Sequence, residues 1–142
     1  MQLSTVLTLS LALLASSAAQ AAPPSADHPI LGLWRLTLPD GSCSEIYRFR
    51  GDGTTFVTSA DEISESEFSI PARPSAKGFY KLTDHIVKDN GKKDCIGGIT
   101  KIGTKATHFV QFHPSGSLFV MCEKESLDAC IGPFLRMPGQ DS

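Results

Sequence analysis

Nowhere does this chain of 142 residues hold an apolar run of the roughly 20 residues that a membrane-crossing helix requires. The longest candidate, Val6 to Ala15, is broken by Thr8 and Ser10 and sits at the N-terminus. Other absences narrow the chemistry. No Cys-x-x-Cys pair occurs, and the cysteine spacings are irregular, which argues against a zinc site. No Gly-x-Ser-x-Gly occurs, so the nucleophile elbow of serine hydrolases is missing. Lys and Arg are dispersed among acids and the formal net charge is only −2, which offers neither nucleic acid nor an anionic membrane a basic surface. There is no internal repeat and no long helical pattern. Tryptophan occurs once, at Trp34.

What is present begins with an export pattern. Small residues follow the apolar block, and Ala19-Gln20-Ala21 matches the cleavage motif of a secretory signal, although no Lys or Arg precedes the block. Residues 1–21 are therefore expected to be removed, leaving roughly 120 residues, enough for one domain with one core. Residues 22–29, with Pro23-Pro24, read as a flexible leader, 30–137 as the folded domain and 138–142 as a flexible tail. The expected location is the periplasm or the cell exterior. Cys43, Cys95, Cys122 and Cys130 are even in number, and in an exported chain two disulfides are the default. Cys122 and Cys130 flank a short loop, which favours their pairing and leaves Cys43 to Cys95. The competing scheme, Cys43 with Cys130 and Cys95 with Cys122, holds if the last strand lies beside the first.

The pattern from Ile30 onward has the two-residue period of strands. Trp34, Leu36 and Leu38 share one face and Arg35 and Thr37 the other. A turn centred on Asp40-Gly41 places Tyr47 opposite Trp34 and Glu45 opposite Leu36, and sends Arg35, Arg48 and Arg50 to solvent. Gly51-Asp52-Gly53 makes a second reversal, and Arg50-Gly51-Asp52, an integrin-binding tripeptide by spelling, reads as that turn. Residues 61–67 read as a loop or helical turn entering a strand near Phe68. Further strands are expected at 78–89, 92–100 after the Asn90-Gly91 hairpin signal, 107–113, 117–122 and 131–137. The expected fold class is all-β: a single antiparallel meander of about eight strands closing into a small barrel, which removes its exposed edges.

Gly32-Leu33-Trp34, opening the first strand of such a meander, resembles the Gly-x-Trp signature of lipocalins and their calycin relatives. In that family a C-terminal Arg packs over the Trp at the closed end of the barrel, and Arg136 stands where that Arg is expected. The resemblance gives Gly32, Trp34 and Arg136 structural roles and implies a lipocalin-like barrel. Thr83-Asp84-His85 is similar to the family's Thr-Asp-Tyr segment, with the Tyr replaced. The chain is shorter than a typical lipocalin and lacks the C-terminal helix. It also resembles, in its signal, small β-domain and disulfides, the exported β-barrel proteins of Gram-negative bacteria that include periplasmic inhibitors of peptidoglycan-cleaving enzymes.

No catalytic constellation is recognised, so the protein is expected not to be an enzyme, with no cofactor. The four His residues (28, 85, 108 and 113) are too scattered for a metal site. Trp34, Tyr47, Phe49, Tyr80 and Phe109 either line a pocket for a small apolar ligand, as the resemblance implies, or fill the core. Asp61, Glu62, Glu65 and Glu67 read as a solvated acidic loop and as a candidate contact for a protein partner; residues 123–128 are a second such loop. The expected function is a monomeric, exported, non-enzymatic binding protein for a small apolar ligand, without membrane insertion. The alternative is an inhibitor or immunity factor that binds a periplasmic cell-wall enzyme.

Overall fold

The structure, a computed structural model, describes residues 22–139. The expected signal at 1–21 and residues 140–142 of the expected tail lie outside the described residues. Eight strands follow one another: β1 (Gly32–Thr37), β2 (Ser44–Phe49), β3 (Thr54–Ser59), β4 (Glu62–Ser69), β5 (Tyr80–Asp89), β6 (Lys105–Phe112), β7 (Leu118–Cys122) and β8 (Cys130–Arg136). Each pairs antiparallel with the next, and β8 returns to β1, giving a closed up-and-down barrel. Closure leaves no strand edge unpaired.

Local chemistry explains the meander. At the first turn the Asp40 carboxylate accepts from the Ser42 backbone N–H at 2.9 Å, and Gly41 takes φ 72°, the left-handed conformation this turn requires. Trp34 consequently pairs with Tyr47 and Leu36 with Glu45, the expected register. The Arg50-Gly51-Asp52 stretch is likewise a turn: Asp52 accepts from the Thr54 N–H and hydroxyl at 3.0 and 2.6 Å, while the Arg50 guanidinium lies over Phe56.

Two expectations fail. The strand expected at 92–100 is absent: between β5 and β6 the chain makes a long loop, 90–104, because Asp94 turns it back, accepting from the N–H groups of Ile96 and Gly98 at 2.9 and 2.8 Å. Conversely, residues 62–69 are strand β4, not a loop, with alternating burial along their length.

The closed half of the barrel is aromatic. Trp34 is fully buried, its indole N–H donates to the Ile30 carbonyl at 2.7 Å, and Phe119 meets it edge-on and stacks on Phe134, with centroid distances of 4.6 and 4.5 Å. Arg136 caps this cluster. Its guanidinium carbon lies 4.1 Å from the Trp34 ring centroid, and it donates to the carbonyls of Pro29, Leu31 and Gly116 at 2.6, 2.9 and 3.1 Å. Gly32 beneath it has φ 119°, a conformation that favours glycine, and a Cβ there would stand 3.0 Å from Arg136 Nη1. The end of the leader, at His28, lies against this end of the barrel. His28 is buried, contacts the Pro71 carbonyl at 3.1 Å and meets the Tyr80 ring edge-on; burial lowers its pKa.

The disulfides are Cys43–Cys95 and Cys122–Cys130. The first joins the β1–β2 turn to loop 90–104, and the second closes the base of loop 123–129. With sequence separations of 52 and 8, loop-closure entropy assigns them roughly 4 and 2.5 kcal/mol. Replacing Cys43 and Cys95 by Ser is therefore expected to lower stability more than replacing Cys122 and Cys130, as measured by guanidinium unfolding of the oxidised proteins. Arg136→Ala is expected to cost roughly 2 kcal/mol, read by urea unfolding through Trp34 fluorescence.

Candidate functional site

A two-residue period means each strand contributes alternate side chains to the interior. In the half of the barrel away from Trp34 these are unusually polar. β3 turns Thr55 and Ser59 inward and β4 turns Glu62, Ser64 and Ser66 inward, all five buried. β2 adds Glu45, and β5 adds Asp84. Facing this wall are Leu82, Met121 and Ile131. Between them lies a cavity of about 260 Å³ that opens at the end carrying loop 90–104, where Asp94 and Thr100 form part of the rim. Its volume sits near the lower end of small-molecule sites.

Most of the polar wall is internally satisfied. The Glu45 carboxylate accepts from the Tyr47 hydroxyl at 2.6 Å and from the Ser59 hydroxyl at 2.7 Å; Ser59 in turn accepts from the Cys95 backbone N–H at 2.9 Å. Burial, reinforced by the Glu45 charge, holds the Tyr47 phenol well above its ordinary range, so it remains a donor. Asp84 accepts from the Ser66 hydroxyl at 2.6 Å. Burial raises its pKa, opposed by that bond and by the nearby His108 and His85.

Two buried groups in this wall lack a partner: the Thr55 hydroxyl and Glu62 Oε1. The Asp89 Oδ2 atom, beside Glu62, is the third such atom among the described residues. Glu62 is only 5 % exposed. Burial is the largest cause of its raised pKa; Asp89 and Asp94 add to it, and the Thr100 hydroxyl opposes it. His108 is the one basic side chain among the residues lining the cavity. Among the described residues no three His, Cys, Asp or Glu side chains are grouped to hold a metal ion.

The five aromatics expected around a pocket separate. Tyr47 and Phe49 line the cavity. Trp34 belongs to the packed closed half, and Tyr80 lies at its margin against His28 and Phe112. Phe109 lies outside the barrel, because Val110 on the same strand is buried within it and alternate residues of a strand face opposite ways. The acidic loop also dissolves. Asp61 is exposed in the β3–β4 turn, Glu62 is inside, Glu65 lies on the outer face with Lys88 Nζ at 3.9 Å, and Glu67 is exposed. Glu62 thus faces away from the other three. The sequence signals for this polar lining are the alternation of Glu62, Ser64, Ser66 and Phe68 and the place of Glu45 on the Trp34 face.

A wider trough of about 830 Å³ lies at the opposite end, between Pro24, the β2–β3 turn and Met137–Gly139. Its Arg136 is already engaged on three carbonyls, so the interior cavity is the stronger site. Comparison with known protein families, curated proteins and solved structures finds no match for this chain.

The raised pKa of Glu62 carries a signed prediction. A carboxyl whose folded pKa exceeds its unfolded value stabilises the fold when protonated, and that contribution is lost as pH rises through the folded pKa. Asp40 and Asp52, lowered by hydrogen bonds within their turns, act in the opposite sense as pH falls. Glu62→Gln removes only the first effect. Its thermal midpoint is expected to exceed wild type at pH 7 and to converge with it below the ordinary carboxylate range, as followed by circular dichroism.

Proposed function

We propose that this protein is an exported, non-enzymatic binding protein, related in design to calycins, that holds a small molecule in the open half of its barrel. The observation that carries this reading is the cavity of about 260 Å³ lined on one side by polar groups and on the other by Phe49, Leu82 and Met121. The Gly32, Trp34 and Arg136 arrangement at the closed end supports the calycin affinity. Two disulfides, with no free cysteine among the described residues, support an oxidising compartment, the periplasm or the exterior. The wall of Thr55, Ser59, Glu62, Ser64 and Ser66 favours an amphiphilic ligand over the purely apolar one expected from the resemblance.

A second reading, binding to a periplasmic enzyme as inhibitor or immunity factor, is favoured by a different feature. Ile96 is 80 % exposed, and Ile99, Ile102 and Leu127 are also exposed on loops 90–104 and 123–129. Apolar side chains gathered around one end of a small protein are typical of a partner surface. The contact on this reading is those two loops, not the segment from Asp61 to Glu67.

Native mass spectrometry separates the two. Protein recovered from periplasmic extract is expected to carry a small-molecule adduct that Ser64→Leu, which fills the cavity, removes. An adduct indifferent to Ser64→Leu overturns the cavity reading. Capture of a second protein, lost when Ile96 and Ile99 become Ser, supports the alternative.

A further inference from the structure

From the buried and unpartnered Glu62 carboxylate at the cavity, we propose that the ligand is an organic ammonium ion, a compact amine with an apolar body. This inference rests on the reading of the cavity as a small-molecule site and specifies its chemical class. Three observations carry it.

The first is unmet hydrogen-bonding capacity. Glu62 is 5 % exposed, lines the cavity beside the Thr100 hydroxyl, and has one carboxylate oxygen that no donor meets; Asp89 Oδ2, next to it but outside the cavity lining, lacks a donor as well. Two buried acceptors brought together need a donor between them, either a shared proton or a cation. An ammonium group supplies three N–H donors and a positive charge, and charge-assisted bonds of this kind are the strong ones.

The second is the sign of the lining. Glu45, Glu62, Asp84 and Asp94 all border the cavity, and no Lys or Arg does. Glu45 accepts from two internal hydroxyl donors, Asp84 Oδ1 from a third and Asp94 Oδ1 from its own loop, and Glu62 is the one fully buried carboxylate of the lining with an oxygen that no donor meets. A carboxylate ligand meets repulsion here, and a neutral ligand gains nothing from the field.

The third is the division of the walls. Glu62 lies at the β3–β4 end near the mouth, whereas Phe49, Leu82 and Met121 belong to the apolar core below. A ligand with its ammonium outward and its hydrocarbon inward matches both. A metal ion does not, since no three metal-ligating side chains among the described residues converge. An apolar cavity of roughly 150 Å³ holds benzene, so one of about 260 Å³ has room for a six-carbon amine.

The test compares n-hexylammonium, 1-hexanol and hexanoate by isothermal titration calorimetry at pH 7 on the disulfide-intact protein. Hexylammonium is expected to bind at least tenfold more tightly than 1-hexanol, and hexanoate more weakly than both. Glu62→Gln is expected to weaken hexylammonium binding and so remove the tenfold preference, with circular dichroism at pH 7 showing that the variant has kept its fold. Equal binding of hexylammonium and 1-hexanol to wild type overturns the ammonium inference and leaves the cavity reading standing. An undiminished preference in Glu62→Gln also overturns the inference. No binding of any of the three overturns the cavity reading and this inference together. Should Glu62→Gln fail to fold, the wild-type ratio decides alone.

Discussion

The barrel exists because its first and last strands meet, and one side chain holds them together. Arg136 lies across the Trp34 indole and donates to carbonyls of Pro29 and Leu31 ahead of β1 and of Gly116 ahead of β7. Three backbone segments distant in sequence are thereby joined at one guanidinium, whose planar fork suits several acceptors at once. Gly32, at φ 119°, lies directly against this group. The β1–β8 seam is short, with three residue pairs in register, so the side-chain clasp supplements a modest backbone ladder. Beneath it, the stacked Phe119 and Phe134 fill the closed half and set the floor of everything above.

Above that floor the interior changes character. Packing demands fall on the aromatic half, and the polar half is held by hydrogen bonds. The chain of contacts from Tyr47 through Glu45 and Ser59 to the Cys95 N–H fastens loop 90–104 onto the barrel wall, and the Cys43–Cys95 disulfide fixes the same point covalently. A network in which each member is satisfied is rigid, whereas an unsatisfied member is costly in a low-dielectric interior. Glu62 and Thr55 stand out against that pattern. Their lack of partners is conspicuous because their neighbours on the same two strands are so well provided for.

Much of the architecture was legible in the residues themselves. The Asp40-Gly41 turn set the pairing of β1 with β2, and the seven-residue span between Cys122 and Cys130 pointed to the right disulfides. What misled was polarity. Residues 61–67 looked solvated because they are rich in Glu and Ser, yet a strand that lines a cavity can turn such residues inward; composition alone cannot distinguish a wet surface from a polar interior. The alternation of Glu62, Ser64, Ser66 and Phe68 held the information, and the presence of Glu45 on the Trp34 face pointed the same way. Loop 90–104 was obscure for the opposite reason. Its Asn90-Gly91 resembles a hairpin turn, but the hydrogen bonds of Asp94 and the disulfide at Cys95 decide its course, and both depend on tertiary contacts. Aromatic character alone suggests a pocket role for Phe109, whereas the strand period places it with Gln111 on the outer face.

The trough at the base adds a consequence of layout. Pro24 and Gly139 both line it, so the described chain begins and finishes at the closed pole of the barrel. The mouth, with its disulfide-anchored loop and exposed isoleucines, occupies the other pole. A tag, surface tether or fused domain joined next to Pro24 or Gly139 therefore stands on the far side of the barrel from the opening. An array of the protein immobilised in this way presents its openings outward, whichever end is used.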